Sequence, residues 1–108
     1  MNMETCEVNG TVVVALQGEV DLQHSPRVRK TLMELMLDRR DVVVDLDRVA
    51  YIDSSGIASL VEAYQMARRN QSRFTLAAVS GPAMRVLQLA RLDKVFTIAD
   101  TVDAALGA

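Results

Sequence analysis

Residues 41–70 constrain the fold more than any other part of this chain, because they predict a strand, a turn and a helix in direct succession. Residues 42–46 are almost all apolar or β-branched, as expected of a strand that is buried on both faces of a sheet. A short link, 47–52, and an Asp-Ser-Ser-Gly turn, 53–56, follow. Apolar residues then recur at the spacing of one helical face, which predicts a helix over residues 57–69. In an α/β fold such a turn lies at the carboxyl edge of the sheet, where ligands and partners usually bind.

Two strand-like runs precede this unit and are joined by a dipeptide that favours a tight hairpin. Residues 3–8 and 11–16 flank Asn9-Gly10, and Asn-Gly readily adopts the two positive φ angles of a type I′ turn. We therefore predict an antiparallel hairpin. Residues 17–21 are predicted to leave the sheet after its second strand.

A first helix is predicted to begin at Ser25-Pro26. Serine is a favoured N-cap, and proline is favoured at the first helical position because no N–H is needed there. The charged cluster at residues 38–41 ends this helix. Its apolar stripe consists of Val28, Leu32, Leu35 and Met36.

The rest of the chain continues the alternation of strand and helix. Residues 74–79 predict a strand, and Ser80-Gly81-Pro82 opens a third helix. Residues 95–98 predict a short edge strand, and Thr101 is placed to cap a last helix that ends at Gly107. The predicted order is ββαβαβαβα, an α/β fold with a mixed sheet and right-handed crossovers.

Size and composition narrow the class of protein. The 108 residues, 1–108, are enough for a single domain with one core. Twelve basic against 14 acidic residues give a formal net charge of −2, which provides no cationic field for nucleic acid. No apolar run reaches the roughly 20 residues that cross a bilayer, and the N-terminus lacks a signal-peptide pattern. With a lone Cys6, these features predict a cytoplasmic protein without membrane insertion or an intrachain disulfide.

The residue types that catalysis requires are missing from the sequence. The single histidine, His24, precedes the first helix, and the serine turn lacks the Gly-x-Ser-x-Gly pattern of a nucleophile elbow. One histidine and one cysteine do not make a metal site, and no Gly-x-x-x-x-Gly-Lys loop binds a nucleotide. We therefore expect no enzyme activity, no metal and no cofactor.

The two serines of the turn have two possible roles. Ser54 and Ser55 stand where an N-cap is needed, and a side-chain oxygen would satisfy a free amide of the helix. Alternatively, an exposed serine at a helix N-terminus is a phosphate acceptor. The helix amides and dipole would then stabilise the added phosphate.

The residues of this turn and of the preceding strand resemble the STAS domain. The pattern comprises the Asp-Ser-Ser-Gly-Ile turn at 53–57, the strand at 42–46 and the Gly-Glu-Val-Asp segment at 18–21. The later stretch 84–96 fits as well, so the resemblance covers essentially the whole chain. The sequence is most similar to the bacterial anti-sigma factor antagonists, and this similarity implies a STAS-like fold.

The resemblance also implies a mechanism. In that family the serine directly after the aspartate, here Ser54, is phosphorylated by a cognate anti-sigma factor. That factor is an ATP-dependent serine kinase of the histidine-kinase-like ATPase fold. The unphosphorylated antagonist binds it and frees the sigma factor, and phosphorylation breaks the complex. A serine phosphatase of the metal-dependent type restores the unphosphorylated form.

Further site residues follow from the same resemblance. Asp21 corresponds to an acid near the acceptor that contributes to the kinase contact. Asp53, Ser55 and Gly56 correspond to residues that shape the turn. The glycine either permits a tight turn or lets a partner's backbone approach. The following helix would supply the second half of a docking face through outward-pointing Ser59, Glu62 and Met66.

A different function is compatible with the same turn. Some STAS proteins are cytoplasmic subunits of ABC-type envelope transporters for lipids or organic solutes, and they carry a small hydroxyl residue at this turn. Other STAS proteins serve in signalling assemblies without a sigma factor. The neighbouring genes distinguish these cases, since kinase and phosphatase genes indicate the antagonist and permease and ATPase genes the transporter.

Overall fold

A five-stranded sheet forms the centre of the molecule, and four helices pack on its two faces. The computed structural model describes residues 1–107. Strand order across the sheet follows the chain, with the first strand antiparallel to the second and all other neighbours parallel. This mixed sheet and the order ββαβαβαβα confirm the prediction. The elements are β1 (Asn2–Val8), β2 (Thr11–Val20), α1 (Ser25–Leu37), β3 (Asp41–Ile52), α2 (Ser54–Asn70), β4 (Phe74–Ala77), α3 (Gly81–Leu89), β5 (Thr97–Ala99) and α4 (Val102–Gly107).

The predicted hairpin is confirmed. Asn9 and Gly10 have φ angles of 51° and 84°, and Val8 pairs directly with Thr11. Both central residues thus have the left-handed conformation that a type I′ turn requires.

Strands β2 and β3 are longer than the sequence predicts. The segments 17–21 and 47–52, predicted to leave the sheet and to form a link, instead continue both strands until Val20 pairs with Ile52. Register shifts interrupt the pairing on either side of Gln17-Gly18, where the glycine has a φ of 83°. These irregularities break the alternation of apolar and polar residues, so the local pattern hides a pairing that the neighbouring strand maintains.

At the other edge of the sheet the strands are shorter than predicted. Strand β4 ends at Ala77 rather than at residue 79, because Ala78 adopts a left-handed φ of 51°. Strand β5 covers residues 97–99 instead of 95–98, and it lies at the edge as expected.

The core consists of two unequal layers. Successive strand residues point to opposite faces, and helices α1, α2 and α3 cover the face that carries most of the buried aliphatic side chains. Helix α4 packs on the opposite face, where Val102, Ala105 and Leu106 contact a smaller cluster of Val13, Val43 and Ala77. None of the described helices combines the length and apolar character needed to cross a membrane.

The beginnings of three helices test the capping predictions. Thr101 accepts a hydrogen bond from the amide of Ala104, as its predicted capping role requires, and Ser80, at the predicted start of α3, accepts one from the amide of Ala83. The prediction for Ser25 is wrong, since it is the first helical residue and is buried, while His24 occupies the N-cap but its side chain does not cap the helix amides. The main-chain carbonyl of Asp21 instead accepts from the amides of both residues, at 3.1 and 2.8 Å.

Candidate functional site

The serine turn lies where the two longest strands end together. Val20 and Ile52 are paired at the carboxyl ends of β2 and β3, and the amide of Asp53 donates to the carbonyl of Val20 at 3.2 Å. Helices α1 and α2 both begin at this edge of the sheet, as βαβ connections require. The structure therefore brings Asp21 together with the turn at 53–56, although about thirty residues separate them in the chain.

Asp53, not either serine, caps helix α2. Its Oδ1 accepts from the amides of Ser55 at 2.9 Å and Gly56 at 3.1 Å, so the helix begins at Ser54 rather than at the predicted residue 57. The prediction that Ser54 or Ser55 caps the helix is wrong. An aspartate in extended conformation reaches the amides two and three residues ahead, whereas the serines already have helical geometry.

The hydroxyl groups of the α2 serines differ in their contacts. Ser55 Oγ donates to Asp53 Oδ1 at 2.6 Å, and Ser59 Oγ donates to the carbonyl of Ser55 at 3.1 Å. Ser54 is exposed, and within residues 1–107 its hydroxyl forms no hydrogen bond. Among these serines, Ser54 therefore offers the hydroxyl that an incoming reagent reaches without breaking a contact.

The Asp53 carboxylate is held in its charged form. The Ser55 hydroxyl lowers its pKa most, the partial burial of the carboxylate opposes this, and the amides of Gly56, Ser55 and Leu22 lower the pKa further. A full negative charge thus occupies the amides at the start of α2. This corrects the expectation that those amides are free to hold a phosphate on Ser54.

Asp21 organises the start of helix α1. Its Oδ1 accepts from the amides of Gln23 and His24 at 3.1 and 3.2 Å, and lies 2.7 Å from His24 Nδ1. His24 thus contacts a predicted site residue, a role that the sequence did not indicate. The sequence feature that could have indicated this contact is the position of His24, three residues after Asp21 and directly before the first helix.

Gly56 is packed inside the molecule rather than placed in a turn. It is buried in the first turn of α2, and a Cβ atom there would lie 2.7 Å from Ile52 Cγ1 and 2.9 Å from the carbonyl oxygen of Val20. The predicted roles of this glycine, to permit a tight turn or to let a partner's backbone approach, are therefore wrong. The glycine allows α2 to start directly against the strand ends.

The predicted docking face on α2 is only partly exposed. Ser59 is 3% exposed, and its hydroxyl also lies 3.4 Å from the carbonyl of Ser25, so its predicted outward orientation is wrong. Met66 is half-buried and packs on the core, which corrects its outward placement as well. Glu62 is at the surface, where its Oε2 accepts from Arg29 Nε at 2.8 Å. A helix that packs on both a sheet and α1 leaves only a narrow outer face.

Two exposed apolar side chains beside the turn were not predicted as site residues from the sequence. Leu22 is 75% exposed and Tyr51 is 50% exposed, each one or two residues from an aspartate of the site. Exposed apolar groups next to polar ones are typical of protein interfaces. We call this surface the carboxyl rim; it consists of Asp21, Leu22, Tyr51, Asp53 and Ser54.

The carboxyl rim has the character of a surface rather than of a binding pocket. Cavities of about 450, 300 and 190 Å³ are lined by other residues, the first of them between α2 and the start of β4. Among residues 1–107, no three His, Cys, Asp or Glu side chains come together in a group that could hold a metal ion. The arrangement suits recognition by a macromolecule.

Comparisons with known proteins agree with this geometry. The family model of the STAS domain matches residues 2–105. The anti-sigma F factor antagonist of Paenibacillus polymyxa is 28% identical over 99 residues, which cover 90% of this chain and 85% of that protein.

Solved structures show the same fold. The anti-sigma factor antagonist from Mycobacterium paratuberculosis has a TM-score of 0.88 at 28% identity, with 98% of this chain and 91% of that chain covered. The anti-sigma factor antagonist SpoIIAA in its unphosphorylated form has a TM-score of 0.83 at 20% identity, with 97% and 93% covered. SpoIIAA has also been solved in its phosphorylated form, with a TM-score of 0.79 at 20% identity and coverage of 98% and 97%.

Proposed function

Because this chain belongs to the STAS domain family, we propose that it is an anti-sigma factor antagonist whose binding to its partner is switched off by phosphorylation of Ser54. The names of its relatives support the class of function, since proteins 28% identical to it are anti-sigma factor antagonists. A phosphorylated form of a protein with this fold supports the type of switch.

The observation that carries the proposal is the free hydroxyl of Ser54. A kinase must bring the attacking oxygen into line with a γ-phosphate, and an exposed hydroxyl without protein contacts meets this demand. Ser55 would first have to give up its 2.6 Å bond to Asp53, and Ser59 is buried. The acceptor is therefore Ser54.

Release of the partner is electrostatic. A phosphate on Ser54 adds nearly two negative charges next to Asp53, which is ionised and already occupies the amides of Ser55 and Gly56. The dianion consequently remains at the surface, where docking would have to desolvate it beside two carboxylates, Asp53 and Asp21. Repulsion and desolvation together disfavour the complex by roughly a few kcal/mol.

The partners follow from this switch. The anti-sigma factor that binds the unphosphorylated chain is also the serine kinase, of the histidine-kinase-like ATPase fold, and a metal-dependent serine phosphatase reverses its action. Leu22 and Tyr51 provide apolar contacts at the carboxyl rim, and Asp21, Asp53 and Glu62 provide the polar ones. The chain itself serves in the cytoplasm as a substrate and binding module, without catalytic activity.

An affinity capture from the source cells tests the proposal. Ser54→Ala is the bait that cannot be phosphorylated, and Ser54→Asp is the matched control that carries a negative charge. We expect a kinase-like ATPase on the alanine bait and its loss from the aspartate bait. A transporter ATPase or permease held by the alanine bait would instead identify the chain as an envelope-transporter subunit.

A further inference from the structure

The charged side chains of α1 are arranged in the opposite sense to the one that stabilises a helix. Acids are favourable at the start of a helix and bases at its end, because the aligned peptide dipoles make the start positive. In α1 the first turn holds no acid and the last turn no base. The basic residues lie at positions 27, 29 and 30, and the acids follow at Glu34 and at the C-cap, Asp38. A local rule broken in this way is expected at functional sites.

Only one of the three bases has a compensating contact. Arg29 pairs with Glu62 of α2. Arg27 and Lys30 are exposed, and over residues 1–107 neither side chain takes part in an ion pair or hydrogen bond. A guanidinium and an ammonium group therefore project from the outer side of α1 without a side-chain partner of their own. The negative charge at this end of the helix is the Asp21 carboxylate, which accepts from the amides of Gln23 and His24.

These two cations lie in the first two turns of α1, the helix that begins at the carboxyl rim. The amide of Arg27 donates to the carbonyl of His24 at 3.1 Å, and the His24 ring contacts Asp21 of the rim. The 3.4 Å contact between Ser59 Oγ and the carbonyl of Ser25 holds the starts of α1 and α2 side by side. Lys30 follows one helical turn after Arg27. The surface thus has an acidic rim with a basic border.

We propose that Arg27 and Lys30 form a cationic docking border that receives an acidic region of the same protein partner that contacts the carboxyl rim. The inference rests on the proposed function and adds to it the charge of the partner's surface. The mixed charge favours a protein, because a protein can set cations against Asp21 and Asp53 and anions against the border. Nucleic acid or an anionic membrane would bring phosphates against the border and also against Asp21 and Asp53, which would repel them.

The proposal predicts opposite effects of one substitution on stability and on binding. Arg27→Glu places an acid in the first turn of α1 and opposite Lys30 three residues on, so Tm should rise by about 2–5 °C. The same change puts an acid against the acidic partner. Association should then slow roughly tenfold at low salt, and the difference should fade at about 0.5 M salt. Lys30→Gln, which only removes a charge, should slow association roughly threefold.

Arg39→Glu is the matched control, just beyond the other end of α1. Arg39 is exposed directly after the C-cap of α1, whose last residue, Leu37, lies roughly 15 Å from Arg27 along the helix axis, and the substitution changes net charge equally. It removes a cation from the negative end of the helix, so Tm should fall slightly. Because this end lies away from the carboxyl rim, the association rate should stay within about twofold of the wild-type rate.

Stopped-flow association with the purified anti-sigma factor kinase of the source organism, at several salt concentrations, measures these rates. The border is supported if Arg27→Glu has a higher Tm but associates more slowly than the wild type, while Arg39→Glu keeps the wild-type association rate within about twofold. If Arg27→Glu associates at the wild-type rate, the docking border is overturned while the proposed function stays intact. Wild-type binding to random duplex DNA or phosphatidylglycerol vesicles that Arg27→Glu loses would also overturn it. No binding of the wild-type chain to the kinase would overturn the proposed function and the border together.

Discussion

At the scale of single residues, the two adjacent serines of the turn should behave differently towards the kinase. Ser54→Ala removes the free hydroxyl and should abolish phosphorylation while binding persists. Ser55→Ala removes a 2.6 Å bond to Asp53, so it should lose about 0.5–1.5 kcal/mol of stability and remain a substrate. Phosphate transfer from radiolabelled ATP, with mass spectrometry of the modified peptide, measures both. Phosphate on Ser55 of the wild-type chain would contradict the assignment.

The charge of Asp53 should make stability depend on pH. Its pKa is lower in the folded chain than in the unfolded chain, so its contribution is present at neutral pH and is lost as pH falls through the lowered pKa. Asp53→Ala should therefore cost about 1–2 kcal/mol near pH 7. The difference from wild type should narrow below about pH 4, where the carboxyl group begins to protonate in the unfolded chain.

Asp53→Asn separates the cap from the charge. Asparagine is also a good N-cap, so this variant should keep most of the stability near pH 7, and its free energy of unfolding should lack the Asp53 contribution to the pH dependence. Urea unfolding of the three proteins between about pH 3 and pH 7 makes the comparison. An Asp53→Ala cost that stays constant over this range would show that the charge is irrelevant to the cap.

At the scale of elements, the way α2 meets the strand ends depends on the missing side chain at Gly56. Gly56→Ala places a methyl group 2.9 Å from the fixed carbonyl oxygen of Val20, and we expect a loss of about 1–3 kcal/mol in urea unfolding. Gly81→Ala is the control, because Gly81 is also helical and, apart from its two chain neighbours, nothing lies within 4 Å of its added Cβ. That variant should change stability by less than about 1 kcal/mol, because the restriction that Pro82 imposes on a preceding residue with a Cβ opposes the usual gain from Gly→Ala. Equal losses in both would refute the close approach.

At the scale of the whole molecule, the switch should act on the surface and leave the fold unchanged. Ser54→Asp adds a charge at an exposed position that contacts nothing else, so its Tm should stay within about 2 °C of wild type. Its affinity for the anti-sigma factor should fall by at least roughly tenfold. Titration calorimetry and thermal melts measure the two quantities. A weakened complex with a large loss of Tm would indicate a conformational switch instead. A carboxylate carries less charge than a phosphate, so the phosphorylated chain should bind more weakly still.

Much of the architecture could be predicted from the sequence because it depends on local patterns. The hairpin follows from Asn9-Gly10, the buried strand at 42–46 from its apolar run, the start of α3 from Ser80-Gly81-Pro82 and the cap of α4 from Thr101. Each of these features is decided within a few residues, by turn conformation, side-chain periodicity or the reach of one hydroxyl group. The order of elements, and with it the place of the serine turn at the carboxyl edge, follows from them.

What the sequence left open depends on residues that are distant along the chain. The pairing of β2 carries β3 on to Ile52, and Val20 determines that position 56 must be a glycine. The contact with α1 buries Ser59, and Asp53 caps α2 one residue before the first of the two serines. By itself, the sequence determined the fold and a turn with two candidate serines. The resemblance pointed to Ser54, and only the tertiary structure gives a physical reason to prefer it, because burial and hydrogen bonding depend on which distant segments pack together.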